Sequence, residues 1–526
     1  MSRWLKSVCV GAFAIASTVA CAANYTNPIL HADYSDPDAI RVGEQYFMVS
    51  SSFNEAPGLP LLTSSDMVNW KLVGHALPQN LPFDAFVKPQ HGKGVWAPCI
   101  RFHDGQFWIF YPDPDHGIFV TTATNFAGPW SEAKLILGGK GLIDPTPLWD
   151  DDGKAYLLHG WAKSRAGFNN VLSLRNMKPD ATGMLDDEAK IVIDGNKLTG
   201  YSTLEGPKFY KRNGYYYVFA PAGGVEHGWQ SVFRSRNIAG PYEDKIVMAQ
   251  GTSSTNGPHQ GAWVQTPEGS DWFYHFQHKG AYGRIVHLQP MAWKNDWPVI
   301  GEDNDGDGVG QPVTTHAFPV AGNFGAVTPS TSDDFSAAIL GSQWSWNANW
   351  RADWYSLSAR PGLLRLNSQF ESDAPNLWYR SALLLQKLPA ERFSVTTSID
   401  ASAQNDGESA GLVMYGYGYK WLGVRNTGGK TLLVVVSCDQ AQKGRSEKTE
   451  STIELAQTRV SLRMTVGEGG QTQLAYSLDG MTFNDIGNPV KASVGHWVGA
   501  RIGLFSAASQ AGKRGYVDMA DFVVTK

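Results

Sequence analysis

The sequence predicts an all-β protein, a five-bladed β-propeller followed by a β-sandwich. Three observations carry this. A glycine turn followed by an alternating aromatic and β-branched strand recurs five times between residues 24 and 300; helical periodicity is almost absent between the copies; and beyond a Gly-, Pro-, Thr- and Ser-rich stretch a second set of alternating strands begins. The turn glycines are Gly43, Gly105, Gly153, Gly214 and Gly269, at intervals of 62, 48, 61 and 55 residues, long enough for a four-stranded sheet with its loops. A two-sheet sandwich is the competing arrangement for short strands divided by turns, and the internal repeat favours the propeller.

Taken in order, residues 1–22 read as an export signal: Arg3 and Lys6 precede an apolar run over 8–20, and Ala20-Cys21-Ala22 offers small residues for cleavage. The expected location is periplasmic or extracellular, with lipid anchoring at Cys21 as the alternative. Residues 23–308 form the propeller, 309–332 the linker and 333–526 the sandwich. In the propeller a second element recurs behind the first, as Ser65-Asp66-Met67-Val68-Asn69-Trp70, Gly128-Pro129-Trp130 and Gly240-Pro241-Tyr242. In the sandwich, stretches such as 393–399 and 460–466 alternate strictly, which implies sheets with one buried face.

Composition narrows the function. The formal charge is -5 with no long basic run, which excludes a nucleic-acid footprint, and no segment after the signal reaches the roughly 18 apolar residues of a membrane span. Aromatic residues make up 12%, including 19 Trp, so the chain suits an uncharged, ring-stacking partner. Cys99 and Cys438 fall in different predicted domains and are expected to be unpaired, buried thiols. No Cys/His spacing of the zinc type occurs.

Three acids stand on three different blade units: Asp36 in Ser35-Asp36-Pro37-Asp38, Asp144 in Ile143-Asp144-Pro145 and Glu205 in Leu204-Glu205-Gly206-Pro207. A proline bars the right-handed helical region to the residue before it, so Asp36 and Asp144 are expected on extended or turn backbone. The inner strand of each propeller blade lines a central channel, and the three acids would converge on one mouth. Cleavage of a glycosidic bond needs one ionised carboxylate to activate water and one protonated carboxyl to release the leaving oxygen. Asp36 and Asp144 are expected to be ionised, and Glu205 to keep its proton beside anionic neighbours, Tyr201 and Tyr210.

The motifs Asn27-Pro28-Ile29-Leu30, Ser35-Asp36-Pro37-Asp38-Ala39-Ile40-Arg41, Trp96-Ala97-Pro98, Ile143-Asp144-Pro145 and Glu205-Gly206-Pro207 together make the chain resemble glycoside hydrolase family 43. The resemblance implies a five-bladed propeller, inversion at the anomeric carbon, and the roles of general base for Asp36, pKa tuning and orientation for Asp144, and general acid for Glu205. It also implies Trp96 as a sugar-stacking wall, Phe53 and Arg284 as substrate contacts, and His259 as the channel histidine that sits beside a structural calcium ion, with no cofactor required for the chemistry. The C-terminal part is similar to the concanavalin-like jelly roll that accompanies β-xylosidases of this family, through Asp334-Phe335, Ala410-Gly411-Leu412 and Ala500-Arg501-Ile502-Gly503-Leu504-Phe505.

Structural readings compete at several positions. Asp113 reads as a turn residue, Trp96 as blade packing, His259 as a core histidine, and Arg284 as the partner of a blade carboxylate. Asp38 stands where the family pattern has serine, so a further acid lies beside the base. Asp303-Asn304-Asp305-Gly306-Asp307-Gly308 opens like a calcium loop, but Thr314 occupies the twelfth position where a bidentate Glu belongs, so an acidic turn is expected. The expected function is exo-cleavage of terminal xylose or arabinose from xylan- and arabinoxylan-derived oligosaccharides. The alternatives are a non-catalytic carbohydrate-binding propeller and a retaining fructan hydrolase, whose Asn-Asp-Pro and Glu-Cys signatures are here Ser35-Asp36-Pro37 and Glu205-Gly206.

Overall fold

The computed structural model describes residues 23–322, 324–512 and 514–526; the expected export signal and Cys21 lie outside them. All five glycine turns close the hairpin between the first and second strands of a blade, and all five glycines have positive φ, from 62° to 88°. Without a Cβ, glycine takes this left-handed conformation at no steric cost, which is why the repeat was visible as glycine.

Blade 1 comprises Asp38–Val42, Gln45–Val49, Gly58–Ser64 and Lys71–Leu77; blade 2 comprises Cys99–His103, Gln106–Asp113, Gly117–Ala123 and Lys134–Gly138. Blade 3 is built from Leu142–Trp149, Ala155–Trp161, Val171–Met177 and Lys190–Asp194, and blade 4 from Lys208–Arg212, Tyr215–Ala222, Trp229–Ser235 and Glu243–Met248. His259–Gln265, Asp271–His278, Arg284–Lys294 and Trp297–Ile300 complete blade 5. The second recurrent element joins the third strand to the fourth in blades 1, 2 and 4. Its aromatic residue folds back onto a carbonyl three or four residues earlier: Trp70 onto Met67, Trp130 onto Phe126 and Tyr242 onto Ile238.

The first strands of the blades follow one another around the channel, and those of blades 5 and 1 adjoin to close the ring. Closure is reinforced outside the blades. Thr315–Ala317, within the stretch read as linker, pairs antiparallel with Asn24–Thr26, and the Asn27 side chain ties the carbonyls of Leu288 and Val313 together.

The C-terminal sheets contain seven and eight strands packed face to face. Phe393–Asp400 alternates buried and half-buried residues along its whole length, as its sequence pattern predicts. The core between the sheets includes Trp344, Leu412, Leu462, Leu504 and Met519, and extends to Tyr282 and Ile285 of the propeller. Backbone hydrogen bonds between Ala56 and Trp346, and side-chain bonds from Asn349 to the Asn80 and Phe83 carbonyls, fasten the two domains together. Cys99 and Cys438 are both buried and free.

Candidate active site

Asp36 and Asp144 share one backbone solution, each with φ 54°. Proline excludes the right-handed region for the residue before it, and of the remaining choices the chain takes the left-handed one rather than the extended one. That conformation costs a non-glycine residue about 1–3 kcal/mol and persists because the surroundings overdetermine it. Asp36 immediately precedes the inner strand of blade 1. Asp144 lies within that of blade 3, where pairing with the second strand is interrupted between Ile143 and Thr146. Glu205 precedes the inner strand of blade 4, and its backbone N–H donates to the Pro221 carbonyl of the next strand.

The Asp36 carboxylate is buried and accepts from Arg284 Nη1 at 2.7 Å through Oδ1 and from Ser51 Oγ at 2.6 Å through Oδ2. Asp144 Oδ2 accepts from the backbone N–H of Gly206 at 2.8 Å, which ties it to the residue following Glu205. Gly206 has φ 59°, and a Cβ there would lie 2.7 Å from the Gln260 side chain, so glycine is required on both counts. Glu205 Oε1 lies 3.3 Å from His259 Nε2.

Burial above all, and then the charges of Glu205 and Asp36, push the Asp144 carboxyl up to about 8, while the Gly206 N–H and the Lys208 charge pull the other way. This reverses the expectation that Asp144 is ionised. The reason is its 4% exposure and the single hydrogen bond found for its carboxylate, too little to replace water. Nor do the two tyrosines act on Glu205 as expected: Tyr201 OH donates to Asp244, and Tyr210 OH accepts from the Trp263 N–H.

Phe53 and Trp96 form an aromatic wall, with ring centroids 6.4 Å apart. The Arg165 guanidinium lies over Trp96 at 5.3 Å, and Trp497 of the sandwich meets Trp96 edge-on at 6.3 Å. Arg284 is both buried and paired with a blade carboxylate, and that carboxylate is Asp36 itself.

His259 is fully buried, with Nδ1 lacking a hydrogen-bond partner among the described residues and Nε2 facing Glu205. Calcium takes six to eight oxygen ligands, and among the described residues the one oxygen within hydrogen-bonding distance of His259 Nε2 belongs to Glu205. No chemical step is derived through an ion. Elsewhere, the carboxylates of Asp303, Asp305 and Asp307 come within 4.8 Å of one another while accepting from backbone amides of their own turn. Asp113 likewise accepts from the Asp115 amide, as a turn residue does.

Asp38 is fully buried at the start of the inner strand of blade 1. Its Oδ2 accepts from the Ile100 N–H at 2.8 Å and from Arg101 at 3.0 Å, with the buried Lys208 ammonium 3.7 Å away. It thus joins blades 1, 2 and 4. Asp38→Asn leaves the buried Lys208 ammonium and the half-buried Arg101 guanidinium without their anion. It is expected to cost about 3–5 kcal/mol, read as a lower urea midpoint for unfolding of the propeller.

Ser51, Asp33, Trp497 and Arg501 were not singled out in the sequence. Ser51 is the middle of three consecutive serines and Trp497 a lone aromatic in a loop, so neither has a local signal. Arg501 was visible only as part of a sandwich motif.

Three carboxyls from three blades, one of them buried and pushed toward its protonated form by the charges of the other two, meet the demand of acid–base cleavage between sugars. The class that fold and site define is the propeller glycosidases. Residues 25–298 match "Glycosyl hydrolases family 43", and residues 332–525 match "Beta xylosidase C-terminal Concanavalin A-like domain". The chain belongs to glycosyl hydrolase family 43, as the motif resemblance implied. It is 37% identical over 490 residues to a putative beta-xylosidase of Xylanibacter ruminicola, covering 93% of this chain and 87% of that one. It is 30% identical over 417 residues to the non-reducing end alpha-L-arabinofuranosidase BoGH43B of Bacteroides ovatus, covering 74% and 73%. Among solved structures, a bifunctional GH43-CE protein of Bacteroides eggerthii superposes with a TM-score of 0.83 at 29% identity, over 96% of this chain and 64% of that longer one.

Proposed function

We propose that this protein is an exported, inverting exo-glycosidase that releases terminal xylose or arabinose from xylan- and arabinoxylan-derived oligosaccharides. The observation that carries the exo reading is the contact of Trp497 with Trp96: a loop of the sandwich reaches the aromatic wall of the mouth, and a mouth closed on that side suits a chain end. The names of the relatives, β-xylosidase and α-L-arabinofuranosidase, support the choice of sugars. Export rests on the charged and apolar pattern of residues 1–22.

In this reading Asp36, oriented by Arg284 and Ser51, takes a proton from water as that water attacks the anomeric carbon. Glu205 delivers a proton to the departing glycosidic oxygen. Its side chain is 27% exposed where Asp144 is buried, so of the two neighbouring carboxyls it is the one that reaches the substrate. Burial and the Glu205 and Asp36 charges favour the protonated form of Asp144.

Asp144 also bears on the pH profile. The wild-type kcat/KM is expected to fall as pH rises through about 8, where Asp144 loses its proton. In Asp144→Asn that titrating carboxyl is absent, so the alkaline limb near 8 is expected to change; a profile identical to wild type contradicts the assignment. The function itself is tested by kcat/KM for aryl β-xylopyranoside and aryl α-L-arabinofuranoside together with the product pattern from xylohexaose. Release of single pentoses supports the proposal, and a mixture of internal fragments, or no release, overturns it.

A further inference from the structure

The Asp33 carboxylate is 2% exposed and accepts four hydrogen bonds, two toward each domain. Oδ1 accepts from Ser35 Oγ and from the backbone N–H of Arg284, both at 2.9 Å. Oδ2 accepts from the backbone N–H of Gly499 and from Arg501 Nη1, again both at 2.9 Å. The propeller-side partners are one step from the chemistry. Ser35 precedes Asp36, its carbonyl accepts from the Ser51 N–H, and Ser51 Oγ and Arg284 Nη1 are the two donors to the Asp36 carboxylate. The sandwich-side partners begin where the Trp497 loop ends, and Arg501 also reaches Glu55 at 2.5 Å.

The backbone is shaped for this contact. A Cβ on Gly283, whose φ is 74°, would lie 2.3 Å from Asp33 Cγ, and one on Gly499 would lie 2.5 Å from the Gly283 nitrogen. Only glycines let the two domains close on the carboxylate. Burial opposes its charge; the Arg501 and Lys387 charges, with the Arg284 and Gly499 amides, outweigh burial and hold Asp33 well below the usual carboxylate range. Arg501 and Lys387 both belong to the sandwich, so that domain supplies the countercharge that keeps Asp33 an acceptor.

We propose that Asp33 is a positioning residue through which docking of the sandwich sets the geometry of Asp36, by fixing Ser35 and Arg284 on one side and Arg501 and Gly499 on the other. The proposal rests on Asp36 being the base. It makes the second domain part of the catalytic apparatus through a contact that touches no substrate. A misplacement of about 1 Å in a reacting group costs about a hundredfold in rate, so the effect belongs in kcat.

The test is steady-state kinetics of the full chain on an aryl β-xyloside, with kcat expressed per folded protein by near-UV circular dichroism. Asp33→Asn places a donor against Arg501 and Gly499, and Arg501→Met removes the countercharge. Each is expected to lower kcat about 10- to 100-fold with KM within about threefold of wild type. Arg501→Lys, which keeps the charge, is expected to recover part of the loss. Ser35→Ala deletes a single hydrogen bond, so it serves if the others do not fold, and a several-fold lower kcat at unchanged KM is expected. Folded variants with wild-type kcat, whose losses lie only in melting temperature or KM, overturn the proposal. If Asp36→Asn retains activity, the assignment of the base is what has failed; if Asp36→Asn is inactive while Asp33→Asn keeps its kcat, the coupling alone has failed.

Discussion

Asp36→Asn is expected to lower kcat for an aryl β-xyloside by about 10²- to 10⁴-fold, the range for removal of a positioned general base. The amide preserves shape: its oxygen still accepts from Arg284, and Ser51 Oγ turns to accept from the amide nitrogen, so the two hydrogen bonds seen at 2.7 and 2.6 Å keep partners. What is lost is the charge and the basic lone pair that takes the proton from water. Alanine is the poorer probe. It strands the buried Arg284 guanidinium, which packs over Phe276, and adds a folding penalty of about 3–5 kcal/mol to the kinetic one. Intact near-UV circular dichroism with kcat near wild type would show that another group activates the water.

Glu205→Gln should produce an equally large loss, about 10²- to 10⁴-fold, but only where the leaving group needs a proton. A sugar alkoxide is a poor leaving group, so hydrolysis of xylobiose should bear the full loss. A dinitrophenolate leaves unprotonated, and its xyloside should lose far less. The contrast between the two substrates isolates proton donation from binding, and equal losses on both would assign Glu205 another role. Glu205 meets His259 whereas Asp36 accepts from Arg284 and Ser51, so the substitution removes none of the hydrogen bonds found for Asp36.

The fold was legible because its repeat unit is local. A glycine at positive φ followed by an alternating strand is a statement about a dozen consecutive residues, and the Trp70, Trp130 and Tyr242 turns are equally short-range. The three acids were legible for a related reason: each lies one or two residues ahead of a proline at the entrance to a blade. Their environments were not. Asp144 was expected ionised because a sequence displays its proline but not the closeness of Glu205 and Asp36 or the loss of water around it. Asp38 beside the base was an open question in one dimension and is a bond between blades in three, answered by Arg101 and Lys208 from 63 and 170 residues away.

The sandwich contributes what sequence reading reaches least. Asp33 and Arg501 are separated by 468 positions, and Trp96 meets Trp497 across a similar distance. Nothing local marks these four as partners. The same cause explains Thr315–Ala317: three polar or small residues in a Gly- and Pro-rich stretch show no strand pattern, and they pair only because Asn24–Thr26 offers an unpaired edge.

Central to the proposed mechanism is a water molecule activated by Asp36 while Glu205 protonates the leaving oxygen. Proton NMR of the sugar released from an aryl β-xyloside, recorded within the first minutes before mutarotation, tests this most directly. The account predicts that α-xylose appears first and that the β-anomer grows in afterwards; initial release of β-xylose would contradict it.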